Sequence, residues 1–466
     1  MTLDKIDPRY DYNPDVAPAD GLRSTVYDKT HGILFLTSVA SIEAVGVGDY
    51  LVTMRAKSIG DLDVATDEPT DPPADPEEPA DPPVEEPGPE QPDEPAPDDP
   101  PAGEDTAPGG NDTVSGGGGS TPPPAPPQTG TYRAFDANEL DAKARALPAG
   151  ETIVLAGTEY GNFAFNGVNP ASPITIISER PRSAHFQRIT FGNAKNITLR
   201  DLAVWTDGPD TSVTIKEYGI TSYGNNPGIV LDGILFRAAP DSDDYPVWNQ
   251  ARWLNELLGG ALLGGANSAI RNCMAIGVRF GFGLGGVDSE MVGNHIEGYC
   301  GDSYRSTNHR QRTIGNFSGD AFQVDDNHAD AFQSFLVGAT LTDITVEDNI
   351  FMEWITNPAN PLRAALQGVS FHNGPYDRVS VKRNLVTSST GNGIKINRAS
   401  NMEVEGNRVH HADSPNPNRY PWIDANGSGY VRNNEAEKFG LASNLVQSGN
   451  VAPNYSKPII RPARIW

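Results

Sequence analysis

The chain has 466 residues, with 35 Lys and Arg against 61 Asp and Glu, for a formal charge of −26. That length exceeds one ordinary core, and the acidic balance leaves no basic stripe to neutralise phosphates, which excludes a nucleic-acid partner. Two cysteines in so long a chain, Cys273 and Cys300, exclude a disulfide framework and a thiolate zinc site, and read as buried free thiols.

In chain order, "MTLDKIDPRYDYNPD" lacks an apolar h-region, so no signal peptide is expected and synthesis in the cytoplasm is. No run reaches the ~18 apolar residues of a membrane span. Within residues 1–61, "STVYDK", "GILFLTSVASIEAV" and "DYLVTMRAK" read as strands separated by Gly and Asp turns. Some sixty residues bury little core alone, so this β-rich module is expected to anchor the chain or to form a homo-oligomer.

Between Lys57 and Arg133 there is no Lys or Arg, while 19 Asp and Glu fall there; without them the formal charge is −7. The stretch "DPPADPEEPADPPVEEPGPEQPDEPAPDDPP" repels itself and offers no apolar surface. "GGNDTVSGGGGSTPPPAPPQTG" adds a Gly-rich joint and then a stiff one. Residues 62–129 are therefore expected to be a disordered linker. At ~3.1 Å per residue it could hold two domains on the order of 100–200 Å apart.

Residues 130–466 contain a repeat. "NITLRDLAV", "GIVLDGILF", "SAIRNCMAI", "SEMVGNHIE", "QRTIGNFSG", "DITVEDNIF", "RVSVKRNLV", "NMEVEGNRV" and "SGYVRNNEA" align on Leu199, Leu231, Ile270, Val292, Ile314, Val346, Val381, Val404 and Val431. These anchors recur every 22 to 39 residues, with Asn, Asp or Gly two or three positions later. One strand-and-turn unit per 20 to 50 residues indicates a solenoid. Short strands with an amide at the corner fit an all-β parallel β-helix, because that amide tolerates a left-handed turn and can stack on its neighbour.

The entrance "ANELDAKARALPAGETIVLAGTEYGNFAFNGVNPASPITIISERP", 137–181, resembles the opening of right-handed parallel β-helix proteins of the pectin-lyase-like superfamily. Polysaccharide lyase family 6 opens similarly. The resemblance implies a short amphipathic helix capping the solenoid, a Lys base with an Arg, and acidic and amide ligands for calcium. This chain has no copy of that family's local motif around Lys395, so no cofactor is assigned, with bound Ca2+ left open. The same solenoid carries lyases, hydrolases, epimerases and tailspikes.

A second strand in each coil precedes the anchor: "GALLGG", "FGLGGV", "GDSYRST", "ADAFQSF", "QGVSFHN" and "NGIKINR". Leu262, Leu284, Tyr304, Phe332, Val369 and Ile394 are expected inward, and by alternation Arg305, Gln333, Ser370 and Lys395 form an outward column. Asp302, Asp330, Gln367 and Asn392 precede them in the same strands. "SGDAFQVDDNHAD" adds Asp320, Asp325, Asp326 and His328, and crowding should raise some of these carboxyl pKa values, as a general acid requires.

Three readings stay open. In a glycosidase, two of these carboxylates flank the scissile bond. In a lyase, Lys395 or His328 removes a proton and Arg305 neutralises the neighbouring carboxylate. In the third, the cluster is a polar turn or binds sugar without cleaving it. Asp330, Asp326, His328, Lys395 and Arg305 are the candidate catalytic residues. Gln333, Asp302, Asp320, Asp325, Gln367, His372 and Asn397 are candidates for substrate contact, and no metal ligands are assigned. His309 could line the same groove, and Tyr245, Trp248 and Trp253 could stack on a sugar ring.

The three regions together suit a spike or fibre of a phage-like particle. Residues 1–61 would attach to a particle protein, and the solenoid would present a surface for a bacterial polysaccharide. A free polysaccharide lyase or glycoside hydrolase and a purely structural decoration are the alternatives. Limited proteolysis should cut first within 62–129 and release a stable C-terminal fragment, since that segment has no apolar burial to offset chain entropy. Resistance of this stretch at low protease would contradict the linker assignment.

Overall fold

The computed structural model describes residues 131–453, apart from 148, 208–217, 223, 225, 256–257, 336–338, 358 and 413–420, together with the backbone of three strands nearer the N-terminus. Those three, Arg23–Asp28, Ile33–Gly46 and Asp49–Ser58, pair antiparallel in that order. They coincide with the three strands expected there. The expected disorder of 62–129 lies outside the described residues.

From Thr131 onward, strand pairs with strand in parallel, each with its counterpart one coil earlier and one coil later. The result is a parallel β-helix, with the right-handed crossover that such connections take in ~98% of cases. Two strand columns merge into one hydrogen-bonded sheet of 24 strands, because Asn392–Glu405 and Trp422–Arg432 turn the corner unbroken. A third column forms a separate sheet of ten.

The anchor column runs Ile153, Ile176, Leu199, Leu231, Ile270, Met291, Thr313, Val346, Val381, Val404 and Val431, all without solvent exposure. Each large apolar member contributes about 1.5–3 kcal/mol of burial. Two expected anchors are off by one: Met291 and Thr313 face inward, and Val292 and Ile314 are half-buried on the outside.

The corner explains that shift. From Leu199 onward a left-handed residue stands two positions after each anchor, among them Asp201, Gly233, Asn272, Gly293, Gly315, Asp348 and Asn433, with φ between 52° and 69°. The next residue turns inward, and from Asn294 onward it is always Asn: Asn316, Asn349, Asn384, Asn407, Asn434 and Asn450 follow. Each amide donates to the preceding anchor's carbonyl and, up to Asn434, to the next Asn; Asn349 Nδ2, for example, lies 2.9 Å from both Thr313 O and Asn384 Oδ1. In return its Oδ1 accepts the Asn316 backbone N–H at 2.9 Å. The anchor is whatever stands three positions before this Asn, so "TIGN" buries Thr313 rather than the more apolar Ile314.

In the second column Ile220, Ala261, Phe282, Tyr304, Phe332, Val369 and Ile394 point inward. Leu284 is inward as expected, but Leu262 is not: it pairs with Gly283 in the outward column, and Ala261 and Leu263 take the interior places. A helix, Ala137–Ala146, closes the first coil, as the resemblance implied. Asp136 caps it by accepting the Glu139 N–H at 2.9 Å, and Leu140 and Ala144, one turn apart, enter the core. Cys273 and Cys300 are free and buried, as expected. Among the described residues no helix is long and apolar enough to cross a membrane.

Asn349→Ala should lower unfolding stability by about 3 kcal/mol, because it strands several buried polar groups at about 1–3 kcal/mol each. Denaturant titration checks this; a loss below ~1 kcal/mol would mean the ladder adds little.

Candidate functional site

The strands Tyr304–Ser306, Asp330–Phe335, Gln367–His372 and the start of Asn392–Glu405 lie side by side. Their register sets Arg305, Gln333, Ser370 and Lys395 in one outward file, as alternation predicts. Asp302, Asp330, Gln367 and Asn392, three positions earlier, would fall on the opposite face of an ideal strand. A small residue stands in between: Gly281, Ser303, Ala331, Gly368 and Gly393 occupy that place in successive coils. A Cβ on Gly368 would come 2.1 Å from Gly393 O, and one on Gly281 would come 2.2 Å from Ser303 O. The preceding acid or amide nevertheless reaches the outward side chains. There Gln333 Nε2 donates to Asp330 Oδ2 at 3.2 Å, Arg305 pairs with Asp302, and Asn392 Nδ2 donates to Gln367 Oε1 at 3.3 Å.

Asp330 is fully buried beneath this face. His328 Nδ1 sits 3.0 Å from its Oδ2, while Oδ1 has no hydrogen-bond partner and His372 Nε2 stands 3.9 Å away. Ser370 Oγ and His372 Nε2, also buried, face the same carboxyl. Burial pushes the Asp330 carboxyl up, but His328, His372 and Ser370 more than offset it and hold the group below 3.8. His328 is raised above 6.5, chiefly by its hydrogen bond to Asp330.

Asp302, on the adjacent rung, goes the other way. Burial drives its pKa up to about 6, and the Arg305 guanidinium opposes without cancelling the shift. Arg305 Nε donates to Asp302 Oδ2 at 3.0 Å, and the guanidinium lies 5.2 Å from the Phe280 ring centroid and 5.5 Å from that of Phe335. Lys395 is half-buried and, among the described residues, has no ion-pair or hydrogen-bond partner.

Not every predicted residue joins this face. Asp320 lies on the third sheet, where Tyr245 Oη donates to its Oδ2 at 2.7 Å and the Ile355 and Thr356 N–H groups donate to Oδ1. Asp325 is committed to Arg279 at 2.6 Å and to the Asn327 N–H. Asp326 is exposed in the loop, and Asn397 continues the Lys395 strand, half-buried. His309 serves a turn, accepting the Thr342 N–H at 3.2 Å. Tyr245, Trp248 and Trp253 do not present rings to a sugar; they are buried with Phe322 and Trp354 over the third sheet. Sequence reasoning missed Phe280 and Phe335, which clamp Arg305; Phe335 stands in the motif itself, but nothing local signals a contact across coils.

Among the described residues no three His, Cys, Asp or Glu side chains gather as a metal site. Asp302 is engaged by Arg305, and Asp330 by His328 and Gln333, so these residues do not form the oxygen-rich cage calcium takes.

No family model and no curated protein matches the sequence. Among solved structures, the chain is similar to a mannuronan C-5 epimerase A-module of Azotobacter vinelandii, with 12% identity over 69% of this chain and 99% of that one, at a TM-score of 0.42. It is also similar to a pectate lyase, with 13% identity, 69% and 80% coverage and a TM-score of 0.40. A PL6 family alginate lyase gives 10% identity, 68% and 53% coverage and a TM-score of 0.36, so the chain spans about half of that protein. Likenesses this distant carry no argument about chemistry, which rests on the side chains above.

Sign follows from direction. The raised His328 gives stability that is full below 6.5 and is lost as pH rises through its folded value; the lowered Asp330 gives stability that holds above 3.8 and is lost as pH falls through its own. By NMR, His328 should titrate above 6.5 and move down in Asp330→Asn. An unchanged His328 midpoint in that variant would contradict the pair.

Proposed function

We propose that the outward face from Asp302 to Asn397 binds a bacterial surface polysaccharide and cleaves it by hydrolysis. One observation carries this reading: two buried carboxyl groups on adjacent rungs, ~4.8 Å apart along the sheet, are driven in opposite directions, Asp302 up to about 6 and Asp330 below 3.8. Two titratable groups pushed apart in this way are the mark of an acid and an ionised carboxylate sharing a site. Asp302, protonated below about 6, gives its proton to the glycosidic oxygen as the C–O bond breaks. Asp330, ionised and held by His328 and Gln333, attacks the anomeric carbon as that bond breaks, because adjacent rungs leave no room for a water between the carboxyls. Water, giving its proton to Asp302, then displaces Asp330 and releases the sugar. Lys395, an unpaired cation on the same face, is suited to an acidic substituent on a neighbouring sugar.

Elimination fits less well. Arg305, the group that would neutralise a substrate carboxylate, is already engaged by Asp302 and two aromatic rings.

The linker composition supports presentation of this domain at a distance, as in a particle-borne spike attached through residues 1–61 and assembled as a homo-oligomer. A freely released enzyme is the alternative, and co-purification of the full chain with particles separates the two.

Incubation with capsular and lipopolysaccharide preparations should yield new reducing ends, with activity falling as pH rises through about 6. Asp330→Asn should lower cleavage by about 100-fold or more while retention on the polysaccharide persists. Lys395→Ala should weaken retention of acidic polysaccharides more than neutral ones. Unsaturated products in place of reducing ends would replace hydrolysis by elimination.

A further inference from the structure

The interior of the solenoid changes character in a single coil. The coil before it turns Phe282, Leu284, Met291 and Ile296 inward, and the coil after it turns Phe332, Ser334, Val346 and Phe351 inward. Between them stand Tyr304, Ser306, Thr313 and Ser318, all without solvent exposure. Three short hydroxyl side chains thus replace Leu, Met and Ile in the same places, leaving both less volume and more polarity.

Not all of these hydroxyls are satisfied by the protein. Tyr304 Oη donates to Phe317 O at 2.8 Å, and Ser303 Oγ to Ala331 O at 2.5 Å. Ser306 Oγ and Thr313 Oγ1 have no protein partner, nor does Ser334 Oγ one rung on. The Tyr299 phenol faces Ser303 and Ser318. A buried hydroxyl left unpaired costs about 1–3 kcal/mol. Two of them in this coil, with a third one rung on, would cost several kcal/mol in a mostly apolar interior. A polar space bordered by several donors and acceptors is where a protein holds internal water.

We propose that the coil from Ser303 to Ser318 encloses ordered water, held by Tyr299, Ser306, Thr313 and Ser318. It lies directly behind the candidate site: Ser303 follows Asp302 in the chain, and Ser303 Oγ bonds the carbonyl of Ala331, next to Asp330. The water gives the two strands that carry the carboxyl groups a polar backing. This inference is independent of whether the face cleaves a sugar.

Crystals of the full chain diffracting well enough to show ordered solvent should contain water within hydrogen-bond distance of at least two of the four hydroxyls. Thr313→Val keeps the shape and removes the hydroxyl, so it should lower the thermal midpoint by about 2 °C or more, and Thr313→Ser should remain closer to the wild type. In a dry interior Thr313→Val relieves an unpaired hydroxyl and raises the midpoint. That rise, or an interior free of solvent density, would overturn the proposal.

Discussion

Seven asparagines, from Asn294 to Asn450, hold this solenoid in register. Each amide closes a corner by bonding a backbone carbonyl of the preceding coil, and from Asn316 onward each side-chain oxygen takes the N–H of the previous Asn and its side chain. Because strand side chains alternate, a slip of one residue would exchange the interior for the surface. The ladder forbids that slip, and it does so even where the slip would bury a better residue, as at Thr313.

The site inherits its order from that register. Arg305, Gln333, Ser370 and Lys395 are neighbours only because four coils align, and Asp302 and Asp330, three positions earlier, reach the same side chains. Electrostatics then differentiates two identical side chains. Asp330 receives a histidine and an amide and stays ionised; Asp302 is as deeply buried, and one guanidinium does not repay its desolvation. The arginine itself is fixed between Phe280 and Phe335, from coils on either side of its own, so the pair is set by side chains from several coils.

Much of this was legible in the sequence, and the limits have physical causes. The parallel coils and the outward column follow from patterns with a period, the recurring anchors and alternation in "ADAFQSF"; the capping helix followed from the resemblance carried by 137–181. What failed depended on contacts between segments distant in sequence. Val292 and Ile314 outrank Met291 and Thr313 on β-branching or hydropathy, and only the buried asparagine three positions on reveals the order. Asp320 reads like its neighbours in "SGDAFQVDDNHAD", yet a strand boundary puts it on another sheet beneath Tyr245. Tyr245, Trp248 and Trp253 look exposed in an acidic excursion and are buried because a third sheet offers them an apolar face. The opposite shifts of Asp302 and Asp330 had no local signal, since both come from burial and from partners on other strands.

Hydrolysis at this face needs two carboxyl groups in different protonation states. Carbon-detected NMR of the Asp302 and Asp330 side-chain carboxyls, followed across pH in the intact chain, measures this directly. The expected result is a midpoint of about 6 for Asp302 and one below 3.8 for Asp330. Two midpoints together at the ordinary carboxylate value would contradict it.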